Sequence, residues 1–168
     1  METNIQEKNN EYPLLGVSGL GGWLVLVQVG IYITIIMLLI QIFQYALPAF
    51  SAETWDILTI KQSEYYHPLW APVIIYEAAF NILFLLFSIY ILFNLYAKKI
   101  ILPKLMIIFY SASLISGIID YAALQQIPMA RDLQDGNALR DILKSVVTCA
   151  IWIPYFLKSD RVYNTFRN

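Results

Sequence analysis

From residue 22 onward the chain alternates long apolar runs with short polar segments. Four runs approach or exceed the roughly 20 residues a helix needs to cross the hydrocarbon core of a bilayer. They cover residues 22–47, 70–96, 105–124 and 139–157. Membrane barrel strands would alternate apolar and polar side chains. The stretch 31–40 is nearly all apolar and does not alternate. Turn chemistry brackets the runs. Pro48 follows the first, Pro68 and Pro72 open the second, and Pro103 opens the third. A proline in a first helical turn costs little, because its missing N–H has no partner there anyway. Pro128 and the string Asp135-Gly136-Asn137 separate the third run from the fourth. Pro154, near the end of the fourth, is expected to kink its last turns.

The pattern therefore predicts an all-α integral membrane protein, a four-helix bundle. A short outer amphipathic helix is expected between spans one and two, over about residues 51–60, with Ser51 as its cap. Residues 1–18 read as a polar cytoplasmic tail and residues 19–168 as a single four-span domain. There is no internal repeat or low-complexity tract.

Composition agrees. Hydrophobic residues make up 59% of the 168 and charged residues only 14%, against about a quarter charged in an ordinary soluble domain. Mean hydropathy is +0.60. A net charge of -1 leaves no global basic field for nucleic acid. The N-terminal stretch has Glu2, Glu7 and Glu11 against one Lys8, unlike the basic start of a secretory signal. No lipidation motif is expected, since no cysteine lies near either end.

Orientation follows lysine and arginine rather than net charge. Lys8, Lys98, Lys99, Lys104, Lys158, Arg161 and Arg167, 7 of the 11 basic residues, fall on one side. Lys61, Arg131, Arg140 and Lys144 fall on the other. This bias predicts that both termini are cytoplasmic. Trp55, Tyr65, Tyr66 and Trp70 at one level, and Trp23, Tyr96, Trp152 and Tyr155 at the other, read as interfacial belts.

Ionisable residues inside the spans carry most of the functional information, because each costs energy unless paired or wetted. Glu77 and Asp120 are expected at similar depth near the outer interface. Helical spacing gives them polar neighbours: Asn81 and Ser88 follow Glu77, and Ser113, Ser116 and Gly117 precede Asp120. Gln41, Gln44 and Tyr45 lie at the outer end of span one. Asp141, Lys144, Ser145 and Thr148 share a face of span four, with Arg140 beside them. Glu77, Asn81, Asp120, Arg140, Lys144, Gln41 and Gln44 thus form a candidate polar cluster. Three readings stand open: carboxylates neutralised by Arg140 or Lys144 to lock packing, a wetted pocket for a small polar ligand or cation, or a proton relay. The apolar inner half argues against a transport path through a single copy.

Catalytic and cofactor chemistry is not apparent. His67 is the only histidine and Cys149 the only cysteine, far apart in sequence, so no metal site is expected. A bis-histidine haem would need a second histidine. Cys149 reads as a small buried residue and His67 as an interfacial hydrogen-bonding one. Gly19-Leu20-Gly21-Gly22 lacks the following Lys-Ser/Thr of a phosphate loop and reads as the entry to span one. No cofactor is expected, and an enzyme is the least favoured class.

Several strings resemble a known family. They are Gly19-Leu20-Gly21-Gly22-Trp23-Leu24, Tyr66-His67-Pro68-Leu69-Trp70 with Glu77 and Asn81 after it, and Ile151-Trp152-Ile153-Pro154-Tyr155-Phe156-Leu157-Lys158-Ser159 followed by Arg161-Val162 and Thr165-Phe166. Together they are similar to the bacterial membrane family called domain of unknown function 2569, over nearly the whole chain from Gly19 to Phe166. The closing string is the most specific part. The resemblance implies a four-span inner-membrane protein and brings no activity, substrate or cofactor. The leading expectation is a non-enzymatic accessory or scaffold subunit of a larger membrane assembly. The alternative is a ligand- or cation-binding protein, or a small transporter, using the outer polar cluster. Expected partners are the lipid bilayer and another membrane protein or a second copy.

Overall fold

A computed structural model describes residues 18–133 and 137–167. The tail before Ser18 and the Asp135-Gly136 turn signal lie outside these residues. The described residues are helical throughout apart from turns and short connections.

Helix α1 covers Trp23–Gln41, continues through a π-helical turn at Ile42–Ala46, and ends in α2, Leu47–Ala49. Helix α3 covers Ala52–Thr59, α4 Trp70–Tyr96, α5 Leu102–Leu124 and α6 Pro128–Leu133. Helix α7 covers Asn137–Lys158 and α8 Asp160–Thr165. Trp23–Ala49, Trp70–Tyr96 and Leu102–Leu124 are each long and apolar enough to cross a membrane. Their apolar side chains also face outward, as at Leu83 and Phe93. Helix α7 is 22 residues long, but Arg140, Asp141 and Lys144 occupy its first two turns.

The local chemistry explains the ends. The Ser51 hydroxyl accepts from the Thr54 amide at 3.4 Å, the expected cap of α3. Pro103 sits in the first turn of α5. Helix α7 contains Pro154 and continues to Lys158, and a new short helix starts after Ser159. Proline disrupts the ladder only by its own missing N–H and its clash one turn back, and so near the helix end that loss is tolerated. Ser159 then caps α8, accepting from the Val162 amide.

The long helices pack in the order α1, α4, α5, α7, each mainly against its neighbours in that row. At one end, which carries Lys98, Lys104, Lys158 and Arg161, the row closes on itself. There Trp23 meets Trp152 edge-to-face with ring centroids 6.1 Å apart. The Gly19 amide donates to Thr165 Oγ1 at 2.9 Å. Gly22 caps α1 with φ 60°. A Cβ at that position would stand 3.2 Å from the Arg161 guanidinium carbon. Both the backbone angle and the space favour glycine there.

The main core fills this basic half. Leu24, Val27 and Ile31 of α1 meet Ile91 and Leu95 of α4, Leu102 and Met106 of α5, and Phe156, Val162 and Phe166 of the closing segment. Phe84 stacks on Phe109 at 4.7 Å at the core's far edge. A small second core, Val73 with Ile127 and Ala130, sits at the opposite, loop end. Between the two cores the structure is hollow.

Candidate functional site

The hollow is a cavity of about 920 Å³ between α1, α4 and α5. It exists because α1 stops burying side chains as regularly. Leu24, Val27 and Ile31 are buried at helical spacing, but beyond them only Leu38 is. From α4 the cavity receives Glu77 and Asn81, and from α5 Ser113, Ser116 and Asp120. Glu77 and Asp120 interact directly. Asp120 Oδ1 is fully buried and, among the described residues, has no hydrogen-bond partner. Tyr76 donates to the Ser116 hydroxyl at 3.0 Å across the wall. Gly117, Asp120 and Ser145 also border a smaller hollow of about 210 Å³ between α5 and α7.

Among the described residues no lysine, arginine or histidine lines the large cavity. Neutralisation by Arg140 or Lys144, one of the three readings left open, is not seen among the described residues. Lys144 instead bonds Asp141 one turn back on its own helix at 2.7 Å, with both side chains exposed. Arg140 is exposed and makes no ion pair among the described residues. The reason is helical phase: these cations sit on an outward face of α7, while Ser145 is the α7 residue turned to the cavity.

Gln41 lines the cavity as expected, and Gln44 does not; it is exposed. The π-helical turn accounts for the difference. Pro48 offers no N–H to the Gln44 carbonyl, and the turn before it widens, with the Leu47 amide bonding Ile42 O five residues back. That extra residue turns Gln44 away, while Tyr45 borders the cavity and stays largely exposed. Ser88 also parts from the cluster: it is fully buried in the basic half and donates to Phe84 O at 2.7 Å. Sequence reasoning missed Tyr76 and Thr34 as lining residues. Tyr76 adjoins Glu77 in sequence, which on a helix does not put it on the same face.

Elsewhere His67 caps a local turn, its Nδ1 accepting from the Leu69 amide at 3.3 Å. Cys149 is half-buried and donates to Tyr110 O. Among the described residues no three potential metal ligands gather. The arrangement can hold positive charge in a low-dielectric hollow.

A family model described as "Protein of unknown function (DUF2569)" matches residues 17–167. Searches of curated proteins and of solved structures found no match.

Proposed function

Because the chain belongs to the DUF2569 family, whose description carries no activity, we propose a function from the cavity: a membrane protein that binds a small cationic ligand in its outward-facing half. The observation that carries this is the pairing of Glu77 with Asp120 in a cavity that no basic side chain lines. A carboxylate beside a second carboxyl group in low dielectric attracts a cation. Their neutralisation by Arg140 or Lys144 would have favoured a purely structural role, and neither residue reaches them.

The setting of this site is a four-span bundle in a bacterial inner membrane. Helix α7 is the fourth span, its apolar part beginning after Lys144, whose long stem lets the ammonium reach the interface. Both termini lie in the cytoplasm, since Lys98, Lys99, Lys104, Lys158, Arg161 and Arg167 gather at one end. The cavity then faces outward, and α3 lies along the outer surface as an amphipathic helix. A scaffold or accessory role is compatible with this frame but draws on no feature of the cavity.

Trp70 lines the cavity and reports on it. The test is a titration of the full chain in lipid nanodiscs with tetramethylammonium, sodium and calcium, followed by tryptophan fluorescence. A saturable response to at least one cation, lost in Glu77→Gln and in Asp120→Asn, supports the reading. A response retained in both variants, or none at all, contradicts it.

A further inference from the structure

The cavity's shape says more about the ligand than its charge does. Its wall is only partly polar. Ile33, Met37 and Leu38 of α1 and Phe80 and Phe84 of α4 form an apolar lining that continues from the carboxyl pair toward the basic half. At about 920 Å³ the space is far larger than a hydrated metal ion requires, and in the range of sites that hold whole organic molecules. It also has an incomplete side. Helices α1 and α7 touch through Trp23 and Trp152 at the basic end, but they do not form a packed pair along their length. In the hollow half α1 supplies a long stretch of wall, whereas α7 supplies Ser145 alone. The open side therefore faces the position of the hydrocarbon core, not only the water at the loop end.

Resting on the cation-binding reading, we propose that the ligand is a cationic amphiphile that enters sideways from the bilayer between α1 and α7. The ligand would be an amine or quaternary ammonium carried on an alkyl chain. The cationic head lies against Glu77 and Asp120, where the unpartnered Asp120 Oδ1 gains a counter-charge or donor. The chain lies along Ile33, Met37 and Phe84. A phospholipid fits less well, because its phosphate would find no basic side chain on the wall. Gln41 and Tyr45 border the space beside the head and offer it neutral hydrogen bonds.

The experiment compares three probes on the full chain in nanodiscs: dodecyltrimethylammonium, tetramethylammonium and dodecanol. Site binding is the part of the signal lost in the Glu77→Gln Asp120→Asn double variant, which removes bilayer partitioning from the comparison. Size-exclusion profile and thermal midpoint show whether that variant still folds. A second variant, Ile33→Trp, narrows the chain's path and leaves both carboxyls in place. The expected result is site binding of dodecyltrimethylammonium at least about tenfold tighter than tetramethylammonium, as chain burial implies, with dodecanol showing none. Ile33→Trp should weaken the long-chain cation and spare tetramethylammonium. Equal binding of the two cations, unaffected by Ile33→Trp, overturns the amphiphile and leaves the cation site standing. Dodecyltrimethylammonium binding that survives the double variant, or dodecanol binding as tightly, overturns both readings.

Discussion

The two halves of the helical array are built from similar apolar runs and reach opposite results. In the basic half, Leu24, Ile91, Leu95, Leu102 and Met106 are wholly buried, and the glycine entry and closing helix seal the end. In the loop half, α1 and α7 part and leave a hollow around Glu77 and Asp120. Overall hydrophobicity does not separate them. What differs is closure: aromatic rings and backbone contacts tie the first and last helices together at one end only. A protein needing stability alone would fill both halves, since close packing is what holds helices together in lipid. The hollow half is thus the part to associate with function.

The contrast predicts unequal costs for truncation. Leu95→Ala, at a fully buried position, should destabilise by about 2–5 kcal/mol. Met37→Ala, on the cavity wall, should stay within about 0.5 kcal/mol. Equilibrium unfolding in mixed micelles measures both, and similar values would break the comparison. Next in size is the seal itself. Gly22→Ala forces a side chain onto a positive φ beside Arg161, and should cost about 1–2 kcal/mol in the same assay.

The hollow half should behave differently. Glu77→Gln breaks no salt bridge and relieves crowding with Asp120. Stability should hold or rise by up to about 1 kcal/mol, while the cation response disappears. A loss of about 3–5 kcal/mol would instead mean that a buried ion pair had been broken. The smallest effect belongs to Lys144→Ala. Its partner Asp141 is exposed like Lys144 itself, so the change should be about 0–0.5 kcal/mol, with cation binding unaltered.

Much of this contrast was legible in the sequence, and the illegible part has physical causes. Apolar run length located the long helices; the second, residues 70–96, coincides with α4 residue for residue. The third begins three residues earlier than its apolar run, at Leu102, with Pro103 inside the first turn. Helical spacing and depth brought Glu77, Asn81 and Asp120 together correctly. The cations were misplaced because spacing along α7 names a shared face without saying which way it points. Lys144 pairs with Asp141, exposed like itself, which borders the small hollow between α5 and α7. Gln44 was lost to a π-helical turn, a one-residue change of phase that periodicity cannot register. Ser88 followed the helical phase of Glu77 but sits about sixteen ångströms along the helix, in the other half, where it bonds its own backbone.

The division between a sealed half and an acidic, open half is tested most directly by cysteine accessibility. Cys149→Ser provides the background, and Asn81→Cys and Ser88→Cys place single thiols on one helix, at the cavity wall and in the packed core. Each is exposed to a cationic and to an anionic methanethiosulfonate of similar size, with the chain in nanodiscs. The account predicts that Asn81→Cys reacts, that the cationic reagent is faster by about tenfold or more, and that Glu77→Gln removes most of that preference. Ser88→Cys should stay protected from both. Equal protection at the two positions, or labelling of Asn81→Cys with no preference for the cation, would contradict it.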